Sequence, residues 1–86
     1  MRLDNKVALV TGAGSGIGQC IAETYAREGA RVALSDIDFD AVKSAARAIG
    51  NSAIALRCDG AKKAESAATV ADALAAFGRL DILVNN

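Results

Sequence analysis

Short, nearly continuous apolar stretches alternate along the chain with longer segments in which apolar residues recur every three or four positions. The apolar stretches lie near residues 6–11, 31–35, 53–57 and 80–84. Runs of this length without polar alternation are typical of strands covered on both faces, and therefore of a parallel sheet. Because the intervening segments have the helical period, the chain is predicted to fold as β-α-β-α-β-α-β.

Three helices are predicted between the strands from the spacing of apolar residues. The first lies near residues 16–28, the second follows Asp38, a predicted N-cap, and the third lies near residues 61–77. One side of each helix is expected to face the sheet. The side chains predicted on these sides are Ile17, Cys20 and Ile21 in the first helix, Val42, Ala45, Ala46 and Ile49 in the second, and Ala67, Val70, Leu74 and Phe77 in the third.

The order of the strands in space follows from their connections. Because β-α-β crossovers are right-handed, the strands are expected in the order 3-2-1-4. The chain then leaves the sheet in opposite directions from strands 1 and 4, which opens a crevice at their carboxyl ends, where ligands bind in such sheets. The predicted fold class is α/β, with a doubly wound parallel sheet.

The first predicted strand runs directly into a glycine-rich segment, Gly-Ala-Gly-Ser-Gly-Ile-Gly, at residues 12–18. Gly12 permits a tight turn, Gly16 lets the backbone approach a pyrophosphate closely, and Gly18 lets the next helix pack against the strand. The N-terminus of that helix offers unpaired N–H groups and a partial positive charge to phosphate oxygens. Ile17 stands where a G-x-G-x-x-G motif needs glycine, and Ile17-Gly18 stands where a P-loop needs Gly-Lys.

Four landmarks in order give the chain its resemblance to a known family. The pattern Thr-Gly-x-x-x-Gly-x-Gly runs from Thr11 to Gly18, Asp36 ends the second predicted strand, Asp59 ends the third, and Leu-Val-Asn-Asn fills positions 83–86. With these motifs spread over essentially the whole chain, the sequence resembles the short-chain dehydrogenase/reductase family. The resemblance implies a Rossmann-like fold and an oxidoreductase that transfers hydride between NAD(H) and an alcohol or carbonyl substrate.

Asp36 is the residue on which cofactor choice is expected to depend. A carboxylate at the end of the second strand can accept hydrogen bonds from both ribose hydroxyls of adenosine, whereas a 2′-phosphate would meet like charge there. Relatives that prefer NADP often carry a basic residue where this chain has Ser15. Both features favour NAD over NADP. The alternative is an aspartate that only forms a turn or caps a helix, although Asp38 is better placed as a cap.

Two further positions are assigned by the resemblance. It implies that the Asp59 carboxylate contacts the adenine amino group, although Gly60 follows it where the family usually has a small aliphatic residue. A second interpretation makes Asp59 the N-cap of the third helix. The resemblance also implies that Asn85 and Asn86 stabilise the fourth strand and line the adenosine side of the crevice. The full set of expected cofactor-binding residues is Gly12, Ser15, Gly16, Ile17, Gly18, Asp36, Ile37, Asp59, Gly60, Asn85 and Asn86.

The catalytic group of the resembling family has no counterpart in this sequence. That group is a serine with a Tyr-x-x-x-Lys pair, in which the lysine lowers the tyrosine pKa. The one tyrosine, Tyr25, is followed four positions later by Gly29. We therefore predict no catalytic residue, and expect residues 1–86 to be the first part of a dinucleotide-binding Rossmann domain, truncated after the fourth strand and inactive alone.

The composition of the chain limits the kinds of partner and ligand that are expected. The 86 residues suffice for one small domain, and ten basic against ten acidic residues give no net charge, which argues against nucleic acid and anionic membranes. No apolar stretch is long enough to span a membrane. Without histidine, a zinc site or a histidine-based triad is not expected. Cys20 and Cys58 have no metal or redox spacing and are interpreted as small apolar fillers of a cytoplasmic protein. The family resemblance implies in addition that the protein forms a homo-oligomer.

Two other functions fit parts of the same pattern. The chain could be a stand-alone nucleotide-binding or interaction module, whose fourth strand would then be an exposed apolar edge prone to pairing with another chain. A Rossmann-like methyltransferase also has a glycine turn and an acidic residue after its second strand. The spacing from Thr11 to Gly18 and the pair Asn85-Asn86 disfavour that interpretation.

Overall fold

A computed structural model describes residues 2–59 and 62–86 of the chain. Strands and helices alternate along this part of the chain, as predicted. The elements are β1 (Val7–Thr11), α1 (Gly16–Arg27), β2 (Arg31–Asp36), α2 (Phe39–Ile49), β3 (Ala53–Arg57), α3 (Lys63–Phe77) and β4 (Ile82–Val84).

The strands form one parallel sheet in the order β3-β2-β1-β4, which confirms the predicted topology. β1 lies between β2 and β4, so that Val10 pairs with Leu34 on one side and with Val84 on the other. Residues 7–10 of β1 and 32–35 of β2 are buried on both faces of the sheet. This burial explains why these two strands show no polar alternation in the sequence.

Helices cover both faces of the sheet, as expected for a doubly wound fold. On one face, Val10 and Leu34 pack with Ala22 of α1 and Val42 of α2. On the other face, Leu9 and Ala33 pack with Ala73 of α3. Two helices therefore pack against one side and one against the other among the described residues.

The predicted inner side is confirmed for α2. Val42, Ala45 and Ala46 are buried and Ile49 packs against them. The Asp38 side chain accepts a hydrogen bond from the Ala41 N–H at 3.2 Å, so it caps the helix as predicted. A stripe of large and small apolar residues opposite charged ones is enough to fix the orientation of a helix.

The predicted inner sides of α1 and α3 are wrong in part. In α1, Ile17 and Cys20 are exposed, and the helix turns Gly18 and Ala22 inward with Ile21 and Tyr25 beside them. Small residues bring this helix close to the strands. The positions of its large apolar side chains therefore do not show which side of the helix faces the sheet. The same result makes Cys20 a surface residue and not a filler, whereas Cys58 is buried as predicted.

In α3, Ala67 and Leu74 are exposed, whereas Thr69 and Ala73 are buried and Val70 and Phe77 pack against the sheet. Alanine occupies both sides of this helix, so its apolar periodicity does not distinguish one side from the other. None of the helices within residues 2–59 and 62–86 is sufficiently long and apolar to cross a membrane.

Hydrogen bonds between Val7 and Asp81 join the beginnings of β1 and β4. The Asp81 carboxylate accepts from the Val7 N–H at 2.9 Å, and the Asp81 N–H donates to the Val7 carbonyl at 2.9 Å. Arg79 donates to the other carboxylate oxygen at 2.7 Å. The hydrogen bond from Arg79, followed by that from Val7, holds the pKa of Asp81 below its usual range.

Candidate functional site

A cavity of about 400 Å³ opens at the carboxyl ends of the strands, between the sheet and α3. It lies at the point where the connections from β1 and β4 diverge, which is the position predicted for a ligand. Six of the predicted cofactor-binding residues line this cavity: Gly12, Asp36, Ile37, Asp59, Asn85 and Asn86.

The remaining predicted residues lie beside the cavity or outside the described part of the chain. Ser15, Gly16 and Ile17 are exposed at the beginning of α1, and Ile17 is 71% exposed. No side chain within the described ranges caps the N-terminus of α1, and its first turn holds no acidic residue. The first N–H groups of this helix therefore keep their partial positive charge beside the cavity. Gly60 lies outside the described residues.

The glycine turn packs so closely that a Cβ added at either of two positions would force its neighbours to shift. A Cβ on Gly18 would collide with the Gly12 carbonyl and lie 2.8 Å from Nδ2 of Asn86. A Cβ on Gly14 would lie 2.8 Å from Oδ2 of Asp36 and 3.0 Å from Cβ of Ala41. Gly14 was not among the predicted site residues, because the motif treats its position as variable.

Asp36 is held in place by two backbone groups. Its Oδ2 accepts from the Gly14 N–H at 2.9 Å, and its Oδ1 accepts from the Asp38 N–H at 3.1 Å. Asp36 therefore does stabilise the local turn, as the alternative interpretation predicts, and this role does not prevent it from binding a ligand. A carboxylate has about four acceptor positions, so two of them remain for a ligand. Across the described ranges, no lysine or arginine forms an ion pair with Asp36.

Asn85 and Asn86 are joined to the end of β1 through Thr11. The Thr11 hydroxyl lies 3.3 Å from both the Val84 carbonyl and Oδ1 of Asn85, and it accepts from the Asn86 N–H at 3.1 Å. The Asn86 side chain donates to the Gly12 carbonyl at 3.3 Å. These contacts fix the wall of the cavity that β1 and β4 share.

Asp59 is attached to the first turn of α3. Its N–H donates to Oε1 of Glu65 at 3.0 Å, and its carbonyl accepts from the Lys62 N–H at 2.9 Å. The N-cap of α3 is Lys62, so the alternative that made Asp59 the N-cap is wrong. One residue earlier, the Cys58 N–H donates to the Asp36 carbonyl at 3.0 Å. The two acidic residues of the cavity therefore belong to adjacent, hydrogen-bonded strand ends.

Ser35 is a residue of the cavity that sequence reasoning missed. It is 1% exposed, and within the described part of the chain its hydroxyl has no hydrogen-bond partner. An unpaired buried hydroxyl costs about 1–3 kcal/mol. The sequence contained a signal that could have identified Ser35. Side chains two positions apart on a strand share a face, so Ser35 lies on the same side of the sheet as the buried Ala33, at the cavity end of β2.

The family described as short chain dehydrogenase matches residues 6–86. Sorbitol dehydrogenase from Cereibacter sphaeroides is 49% identical over 86 residues, which cover 100% of this chain and 34% of that enzyme. The chain therefore spans about a third of the length of the curated relatives it matches.

Two solved structures have the same fold at high sequence identity. A hydroxysteroid dehydrogenase from Escherichia coli superposes with a TM-score of 0.93 at 45% identity, over 95% of this chain and 36% of that one. The 3-ketoacyl-(acyl-carrier-protein) reductase from Brucella melitensis, crystallised as a complex with NADH, superposes with a TM-score of 0.91 at 44% identity, over 94% of this chain and 34% of that one.

Proposed function

The chain belongs to the short chain dehydrogenase family, and we propose that it binds NAD(H) as the nucleotide-binding part of an oxidoreductase. The observation that carries this proposal is the position of Asp36. Its carboxylate is fixed by the Gly14 N–H and lines a cavity at the topological switch point of the sheet. The NADH complex of the reductase from Brucella melitensis supports a nicotinamide cofactor.

The residues present fit the adenosine and pyrophosphate groups of such a cofactor. We assign the ribose hydroxyls to Asp36, since its carboxylate keeps free acceptor positions. The pyrophosphate is assigned to Gly12 and to residues 15–18, because the uncapped N-terminus of α1 presents N–H groups and positive charge. Gly16 supports this assignment, since beyond its own chain neighbours and helix backbone no described atom lies within 4 Å of the place where its Cβ would be, which leaves open space beside it.

The base is assigned to the other end of the cavity. Asp59 is proposed to contact the adenine amino group, with Ile37 beside the ring and with Asn85 and Asn86 along the adenosine. Gly60 is assigned to the cofactor from the sequence alone.

We propose that NAD is preferred over NADP. A 2′-phosphate would have to replace the ribose hydroxyl at Asp36, where it would meet a carboxylate that no described cation neutralises. The glycine turn offers no basic side chain, because the position before Gly16 is Ser15.

The bound cofactor supplies hydride transfer, and the substrate we propose is an alcohol or a carbonyl compound, as the relatives' class implies. Tyr25 is not assigned to that chemistry, since its side chain packs against the hydrophobic core and Gly29 stands four positions after it. Because the chain spans about a third of its relatives, we propose that residues 1–86 are part of a larger dinucleotide-binding domain and that this part has no dehydrogenase activity alone. We also propose a cytoplasmic location, which two cysteines without a disulfide support, and a homo-oligomer, as the family resemblance implies.

The test is calorimetric titration of the purified protein with NAD and with NADP. Asp36→Asn removes the charge and one acceptor oxygen, and hydrogen bonds to charged groups contribute about 1.5–3 kcal/mol. We therefore expect the variant to bind NAD at least tenfold more weakly and to discriminate less against NADP. Asp40→Asn removes an exposed charge from the first turn of α2 and is the matched control. An unchanged NAD-to-NADP ratio in Asp36→Asn would refute the ribose assignment.

A further inference from the structure

Glu65 connects the end of β3 to the beginning of α3. Its Oε1 accepts from the Asp59 N–H at 3.0 Å and lies 3.7 Å from Nη1 of Arg57, while its Oε2 lies 3.6 Å from Nζ of Lys62. The Glu65 side chain is 33% exposed, against 59% for Arg57 and 67% for Lys62. It is therefore the least exposed member of this charged cluster.

The contact with Asp59 has a specific consequence for the cavity. The N-cap residue Lys62 provides no side-chain acceptor, and Glu65 in the first turn reaches back beyond it to Asp59. Lys62 in turn donates its N–H to the Asp59 carbonyl at 2.9 Å. Both backbone groups of Asp59 are therefore held, one by Glu65 of α3 and the other by the N-cap Lys62, and a fixed backbone limits the directions that a short side chain can take.

We propose that Glu65 is a positioning residue that gives the cavity its selectivity for a 6-aminopurine base. This inference rests on the proposed function, in which the Asp59 carboxylate accepts a hydrogen bond from the amino group of adenine. Against a 6-oxopurine the same carboxylate faces an oxygen acceptor, and the two repel each other. Glu65 makes this discrimination possible by holding Asp59 where the edge of the base lies.

Two conservative substitutions separate the reach of Glu65 from its charge. Glu65→Asp keeps the charge at the helix N-terminus, but its side chain is one methylene too short to reach the Asp59 N–H. Glu65→Gln loses both ion pairs and keeps an amide oxygen that can accept from Asp59. Asp72→Asn changes an exposed charge on the same helix and is the matched control.

The readout is the ratio of affinities for NAD and for nicotinamide hypoxanthine dinucleotide, measured by calorimetry. We expect this ratio to fall about fivefold or more in Glu65→Asp, and to stay within about twofold of the wild type in Glu65→Gln and Asp72→Asn. Amide hydrogen exchange of the ligand-free proteins gives a second readout. The Asp59 amide should exchange faster in Glu65→Asp than in Glu65→Gln.

If the Asp59 amide exchanges faster in Glu65→Asp but the affinity ratio is unchanged, Glu65 serves only the fold and the inference is wrong, whereas the proposed function stands. An unchanged exchange rate would refute the structural contact itself. If the wild-type protein binds neither dinucleotide, the proposed function fails and the inference fails with it.

Discussion

Replacing Gly14 by alanine should damage the fold and the ribose site together. The new Cβ would lie 2.8 Å from Oδ2 of Asp36 and 3.0 Å from Cβ of Ala41, and both distances are shorter than ordinary van der Waals contacts. Asp36 or α2 must therefore move, and the hydrogen bond from the Gly14 N–H to Asp36 is weakened. Overpacking of this kind costs about 1–3 kcal/mol, which is a large part of the roughly 5 kcal/mol expected for a small domain.

Urea denaturation measures this cost directly. With an m-value of about 1 kcal/mol/M for a small protein, the unfolding midpoint of Gly14→Ala should fall by about 1–3 M. Ser15→Ala, at the exposed neighbouring position, is the control and should change the free energy of unfolding by less than about 0.5 kcal/mol.

A double-mutant cycle identifies the contact responsible. In an Asp36→Ala background the nearer obstacle is gone and only the contact with Ala41 remains, so Gly14→Ala should cost about 1 kcal/mol less than in the wild-type background. Equal costs in the two backgrounds would show that Gly14 and Asp36 are not coupled, and would refute the description of this corner of the site.

Three other substitutions each test a different contact of the fold. Ser35→Ala removes an unpaired buried hydroxyl and should raise the free energy of unfolding by about 1 kcal/mol; a lower urea midpoint would mean that the hydroxyl has a partner in the fold. Gly18→Ala places a Cβ against the Gly12 carbonyl and should cost about 3 kcal/mol, so a cost below about 1 kcal/mol in urea denaturation would refute the close packing of α1. Because the pKa of Asp81 is lowered in the fold, its carboxylate stabilises the protein above the ordinary value of about 4 and loses this effect as the pH falls through the folded pKa. Asp81→Asn should therefore lower the melting temperature at pH 7 but not in strong acid, and a difference that is the same at both pH values would contradict this role.

The sequence was sufficient to predict the sheet because its central strands are buried on both faces and therefore cannot tolerate polar alternation. The orientation of α2 was also predictable, since Val42 and Ala45 lie opposite charged residues. For α1 and α3 the prediction was wrong in part because alanine and glycine determine how closely a helix approaches, and neither residue gives a strong periodic signal.

In the site, too, the residues that belong to a sequence pattern were predictable and the others were not. Motif spacing was enough to bring Gly12, Asp36 and Asn86 to one cavity. Gly14 and Glu65 were missed, because each is defined by a contact with a residue elsewhere in the chain, and such contacts leave no local pattern in the sequence. Ser35 had a local signal in its position on β2, but only the fold shows that its hydroxyl has no partner among the described residues.

The most direct test of the proposed binding site is an NMR titration of the uniformly ¹⁵N-labelled protein with NAD. We expect saturable shifts of the amides of Asp36 and Asp59, which line the cavity at the carboxyl ends of the strands, and of Gly14, whose N–H donates to Asp36. Absence of any shift, or shifts confined to the opposite end of the sheet around Arg31 and Phe77, would contradict it.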